Sequence, residues 1–174
     1  MSKKKLKVLG VIFAFVLCFA LHFLYDLIPC FITSIIAPVN ESIWEHMKIL
    51  FTSIIISGVI QKIILMKKNI KFNNICFSNF IGALFSIPIF LLIFLPIYNL
   101  IGENIVVNII LMFIVIVISQ LISLFIMNRQ DYKFEKLAIL FVIMVYVVFG
   151  FLTYYPIKSD LFLDKTNNSY GINK

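Results

Sequence analysis

The sequence predicts an all-α fold, a polytopic membrane bundle of five transmembrane helices with its N-terminus inside and its C-terminus outside. Three observations lead there. Of 174 residues, 62% are hydrophobic and only 13% charged, against about a quarter charged in a soluble domain. Five apolar runs, about 6–28, 42–66, 75–99, 104–128 and 136–156, reach the roughly 20 residues a helix needs to cross about 30 Å of hydrocarbon. Basic residues gather at alternate breaks between those runs, which is the pattern that sets orientation in a bilayer. The net charge of +7 is thereby a matter of topology. No basic patch is interleaved with aromatics, so lipid and no nucleic acid is the expected partner.

Span one follows Lys3, Lys4, Lys5 and Lys7. A signal peptide also begins this way, but no small-residue cleavage pattern follows and the apolar stretch runs on to Ile28, so a retained helix is expected. The connection 29–39 is unusually apolar and is bracketed by Pro29 and Pro38. It reads as an interfacial or re-entrant piece, either roofing a pocket or simply touching lipid. Span two opens on Ser42-x-x-Glu45, the pattern of a capping box, with Asn40 as an alternative cap and Trp44 suited to the aromatic belt. Two polar stripes run along it: Glu41, Glu45, Lys48 and Thr52, then Ser42, His46, Ser53 and Ser57. Both cannot face lipid, so this helix belongs at the centre.

Span three holds Pro88 and Pro96, which predict a kink or an early stop. Glu103 is read as the cap of span four, where Asn104, Asn108, Ser119 and Ser123 share a face. Tyr146, Gly150, Thr153 and Tyr154 do the same on span five, and such faces normally pack against other helices. Residues 1–156 then form a single transmembrane bundle and 157–174 an extracytoplasmic tail. In that tail Ser159 either caps a short helix carrying Asp160 and Asp164 one turn apart, or the segment frays. Cys18, Cys30 and Cys76 share no ligand spacing and are expected as free thiols.

Orientation follows from eleven basic residues at one side: Lys3, Lys4, Lys5, Lys7, Lys62, Lys67, Lys68, Lys71, Arg129, Lys133 and Lys136. Lys48, Lys158, Lys165 and Lys174 fall at the other, so the first side is cytoplasmic. The acidic residues, which that rule does not use, segregate the opposite way. Asp26, Glu41, Glu45, Glu103, Asp160 and Asp164 lie outside, and only Asp131 and Glu135 inside. Both histidines, His22 and His46, also fall at the outer end.

Charge at the edge of a bilayer is costly and therefore a pointer to function. His22, Tyr25 and Asp26 share a helix face. Either Asp26 orients the His22 ring, or the three merely mark the headgroup level. Capping and the aromatic belt account for Asn40, Ser42, Trp44 and one glutamate, leaving His46 and the other glutamate. Carboxylates at i and i+4 need a cation between them, which Lys48, a tail lysine or a bound metal would supply. His22, His46 and Asp160 are candidate ligands for a divalent metal such as zinc, with Glu41 and Glu45 as candidate catalytic carboxylates. Tyr25, Asp26, Asn40, Ser42, Lys48 and Asp164 complete the polar cluster.

His22-x-x-Tyr25-Asp26, Pro38-Val39-Asn40-Glu41-Ser42-Ile43-Trp44-Glu45-His46-Met47-Lys48, Pro156 with Asp160-Leu161-Phe162-x-Asp164, and Tyr170-Gly171-Ile172 together resemble a family of small bacterial multi-pass membrane proteins. That family is known only as a domain of unknown function. The resemblance implies a polytopic membrane protein and no particular activity. The spacing Ser42-x-x-x-His46 is similar to one motif of the ceramidase-like membrane hydrolases. Those need three histidines, and this chain has two.

The sequence favours a non-enzymatic sensor, accessory or interaction protein of the cell membrane, alone, as a homo-oligomer or with a membrane-protein partner. The alternative is a membrane-embedded, metal-dependent hydrolase acting on a lipid-like substrate at the outer leaflet. The two part at one question: whether His22 and His46 come within ligand distance of each other.

Overall fold

A computed structural model describes residues 1–102 and 104–172. The expected Glu103 cap and Lys174 lie outside the described residues. The chain folds as α1 (Lys3–His22), α2 (Leu24–Leu27), α3 (Phe31–Ile36), α4 (Ile43–Lys67), α5 (Ile75–Ile101), α6 (Ile105–Met127) and α7 (Glu135–Tyr154), then a hairpin of β1 (Leu163–Asp164) and β2 (Ser169–Tyr170). Five of the helices, α1 and α4 to α7, are long and apolar enough to cross a membrane. Large side chains such as Val16, Leu92, Leu121 and Val147 stand exposed along them, a surface compatible with lipid contact.

Helices α1, α4, α5 and α6 close into a ring, each packing on the next, while α7 lies outside against α5 and the short α3. Helix α4 is the most enclosed of the five, with Met47, Ile49, Leu50, Phe51 and Ile54 all fully buried. Between membrane helices the hydrophobic effect supplies little, because lipid tails are as apolar as leucine, and hydrogen bonds and close packing hold the bundle instead. The ring has such a polar centre. Lys7 of α1, read above as a flanking charge, is buried inside it and donates to Gln61 Oε1 (2.9 Å), Asn79 Oδ1 (2.8 Å) and Ser123 Oγ (2.6 Å). Those acceptors lie on α4, α5 and α6, so one ammonium ties all four ring helices. Gly10 gives the network room: a Cβ there would stand 2.3 Å from Gln61 Nε2.

Several elements depart from expectation for local reasons. Helix α1 ends at His22, and Phe23 breaks it before α2, although the apolar run continues to Ile28. Helix α5 runs through both Pro88 and Pro96 without stopping, because neighbouring helices in a bundle tolerate a freed carbonyl. The segment 31–36 is helical and packs on α7, with Phe31 and Ile32 turned outward and Thr33 and Ser34 buried.

Through residue 172 the tail packs back on the bundle and carries no helix at Asp160 and Asp164. Phe162 is buried and stacks on Trp44 at 4.8 Å, and the backbone N–H of Trp44 donates to the Leu161 carbonyl. Gly171 closes the tail with φ +61°, and a Cβ there would meet the Thr153 carbonyl at 2.5 Å. Glycine fits because it has no Cβ to strain or clash.

Candidate metal centre

Ser42 is the N-cap of α4, its hydroxyl accepting from Glu45 N–H at 3.4 Å. The reciprocal half of the expected capping box is made differently: Ser42 N–H donates to Asn40 Oδ1 at 2.9 Å. Glu41 therefore lies before the helix and off its stripe, and its side chain turns away from that of Glu45. The two carboxylates have separate surroundings.

Glu45 is buried in an ion pair with Lys48. Its Oε2 also accepts from Val39 N–H (3.0 Å) and its Oε1 from the Thr153 hydroxyl (3.0 Å). Lys48 donates to the Ser34 carbonyl (2.8 Å) and to Thr153 Oγ1 (2.9 Å). This pair joins α4 to the 29–39 connection and to α7. Thr153, which looked from its spacing like a packing residue, touches both charges.

Glu41 faces the histidines. Its Oε2 lies 3.4 Å from His46 Nε2 and 3.8 Å from His22 Nε2, and the two rings meet edge-on at 5.5 Å between centroids. Ligand atoms of His22, Glu41 and His46 all fall within 4.8 Å of one another. Around tetrahedral zinc, with bonds of about 2.1 Å, neighbouring ligand atoms sit about 3.4 Å apart. The Glu41–His46 separation already matches, the Glu41–His22 separation is longer by a few tenths of an ångström, and the whole set lies within 4.8 Å. His46 Nδ1 lies 2.9 Å from the Ser42 carbonyl. A carbonyl only accepts, so Nδ1 carries a proton and Nε2 is the ring nitrogen turned toward Glu41. Metal-binding histidines are oriented in this way. The second nitrogen of His22, Nδ1, is buried without a partner, so His46 is the better held of the two.

The tail fixes Glu41. Asp164 accepts from the backbone N–H of Glu41, from Thr166 and Asn167 N–H (2.9 and 3.3 Å) and from Asn167 Nδ2 (3.0 Å). Burial raises its pKa, but these four donors outweigh that effect and hold the carboxyl below its ordinary value. Asn40 Nδ2 adds a bond to the Gly171 carbonyl at 2.8 Å.

Two cavities meet at the centre, with Glu41, His46, Asn108 and Met112 in the wall of both. One, of about 60 Å³, continues past Asp160, Tyr98 and Thr166 under the tail. The other, of about 220 Å³, runs from His22 between α1 and α6.

Of the residues singled out from sequence, His22, Glu41 and His46 come together, and Asp160 shares the smaller cavity with Glu41 and His46. Asn40, Ser42 and Asp164 shape the loop that carries Glu41. Glu45 and Lys48 form the neighbouring ion pair, Tyr25 is half-buried on α2, and Asp26 is exposed. Tyr98 and Lys165, joined by a 2.8 Å hydrogen bond across the smaller cavity, were not singled out. They lie 67 positions apart, and no local pattern links them.

Fold and site together describe a polytopic helical membrane protein with an imidazole–carboxylate cluster at one end of its bundle. The chain belongs to a family of unknown function, DUF6512, which matches residues 1–172. No curated protein and no solved structure gives a significant match.

Proposed function

We propose that this protein binds a divalent metal such as zinc through His22 Nε2, Glu41 and His46 Nε2, and that the centre is hydrolytic, acting on a lipid-like substrate at the outer leaflet of the cell membrane. One observation carries this: among the described residues, three donors converge at the junction of two cavities. Structural zinc is closed by four protein ligands, whereas a catalytic site keeps a position open. The bound cation would polarise an acyl carbonyl. Asp160, in the wall of the smaller cavity, is the carboxylate left to accept the proton of an attacking water. Hydrolysis would release the acyl part as an acid and the head as an alcohol or amine.

The test is metal analysis of purified protein beside His22→Ala and His46→Ala, with hydrolysis of a long-chain p-nitrophenyl ester before and after chelation. About one equivalent in the native chain, lost in both variants, with ester cleavage that follows metal content, is expected. Equal sub-stoichiometric metal in all three removes the proposal.

The non-enzymatic sensor or accessory role has one observation in its favour. Glu45, Lys48, Asp164 and Asn40 are all engaged in holding elements together, so much of the polar cluster is architectural. Metal bound by His22 and Glu41 would then join α1 to the start of α4 and report occupancy as stability. Stoichiometric metal with no cleavage of any acyl substrate selects that role.

A further inference from the structure

The larger cavity is amphipathic along its length. Phe15 and Phe19 of α1 face Ile109 and Met112 of α6 across it, while His22, Glu41, His46 and Asn108 stand at its end. Bilayer hydrocarbon filling the whole space would leave those polar groups against methylenes, which is costly. Water filling it would wet the aromatic wall. An occupant with one apolar chain and one polar end satisfies both parts.

We propose that the cleft between α1 and α6 seats the chain of a single-chain acyl amphiphile, a fatty acid or monoacyl lipid, with its carboxyl or ester group at the His22–Glu41–His46 end. Its head then reaches the second cavity, where Asp160, Tyr98 and Thr166 lie. The placement of the head rests on the metal-centre proposal, but the seating of the chain does not. A chain already dissolved in lipid gains no transfer energy on entering, so its fit against the aromatic and aliphatic walls sets the preference, and longer chains are favoured until they outgrow the cleft. The cleft is narrow, because α1 and α6 are packed neighbours in the ring, and this selects one chain over two.

The experiment uses the full chain in phosphatidylcholine nanodiscs with a diazirine-bearing palmitate, and maps crosslinks by mass spectrometry. Labelling concentrated on residues 15–23 and 105–112 is expected, competed by palmitate far better than by octanoate. Met112→Trp, which fills the cleft, should cut that labelling at least tenfold. Ile109→Trp serves the same purpose from the outer side if Met112→Trp does not fold. Metal content is read on the same samples: labelling without metal removes the metal centre and leaves the cleft standing, and metal without labelling does the reverse, so the two failures are told apart. Labelling spread evenly over the lipid-facing side of α7, insensitive to the tryptophans or to competitor chain length, overturns the proposal. So does labelling of residues 15–23 and 105–112 that both tryptophan variants leave unchanged.

Discussion

Replacing Lys48 with methionine should be the most destabilising single change at the polar end of this bundle. Lys48 is fully buried and Glu45 nearly so, and the ammonium has three partners: Glu45, the Ser34 carbonyl and Thr153 Oγ1. Methionine keeps the length and loses the charge. Glu45 is left as a buried carboxylate with only Val39 N–H and the Thr153 hydroxyl to answer it, and breaking such a pair from one side costs about 3–5 kcal/mol. In the double variant Glu45→Gln/Lys48→Met the orphan charge is gone, and a glutamine oxygen still accepts from one of those donors. What remains lost is the pair of bonds to Ser34 and Thr153, at about 0.5–1.5 kcal/mol each. The double variant should therefore cost about 1–3 kcal/mol, about 2 kcal/mol less than Lys48→Met alone. Trp44, the one tryptophan in the chain, stacks on Phe162 of the tail and packs edge-on against Phe149 of α7. Its fluorescence during unfolding in mixed detergent–SDS micelles is the assay. A single variant costing under about 1 kcal/mol, or a double variant no better than the single, would falsify the assignment of this pair as the clamp between α4 and α7.

Three further outcomes are expected. Gln61→Leu removes an acceptor of Lys7 and the amide donor to Ser57 Oγ and Gln120 Oε1, and should cost about 1–3 kcal/mol in the same unfolding assay. A substitution at exposed Val59, to methionine, should cost almost nothing. Asp164 has its carboxyl held below the ordinary 3.8. Its contribution to tail docking is thus complete above about pH 4 and is lost as pH falls through the lower folded value. Trp44 fluorescence titrated downward should show that loss, and Asp164→Asn should abolish it. Gly171→Ala places a Cβ 2.5 Å from the Thr153 carbonyl at positive φ, an overpacking cost of about 1–3 kcal/mol, and should make the tail after Pro156 sensitive to limited proteolysis.

The five helices were legible because each apolar run had to close its own backbone hydrogen bonds in lipid, a requirement that sequence length and composition meet locally. Helix α4 was legible as the central one for a similar reason, since its two polar stripes had no permissible lipid-facing orientation. The polar cluster was readable as a gathering at one end, but its pairings were not. Asp26 sits one turn from His22, yet α1 breaks at Phe23 and Glu41 takes the position facing the ring. Glu41 and Glu45 share a helical spacing, yet the helix begins after Glu41 and the two point to different partners. Lys7 counted as a flank of span one and lies in the ring's interior, where Gln61, Asn79 and Ser123 solvate it.

By itself, then, the sequence determined the helical spans, their number and the end at which imidazoles and carboxylates collect, because hydropathy and capping act over one helix at a time. Tertiary structure alone decided which side chains meet. His22, Glu41 and His46 converge only because α1 packs on α4 and because a tail more than 120 residues further on holds the Glu41 backbone through Asp164. Contacts between segments that distant depend on how helices close around one another, and no local periodicity records that.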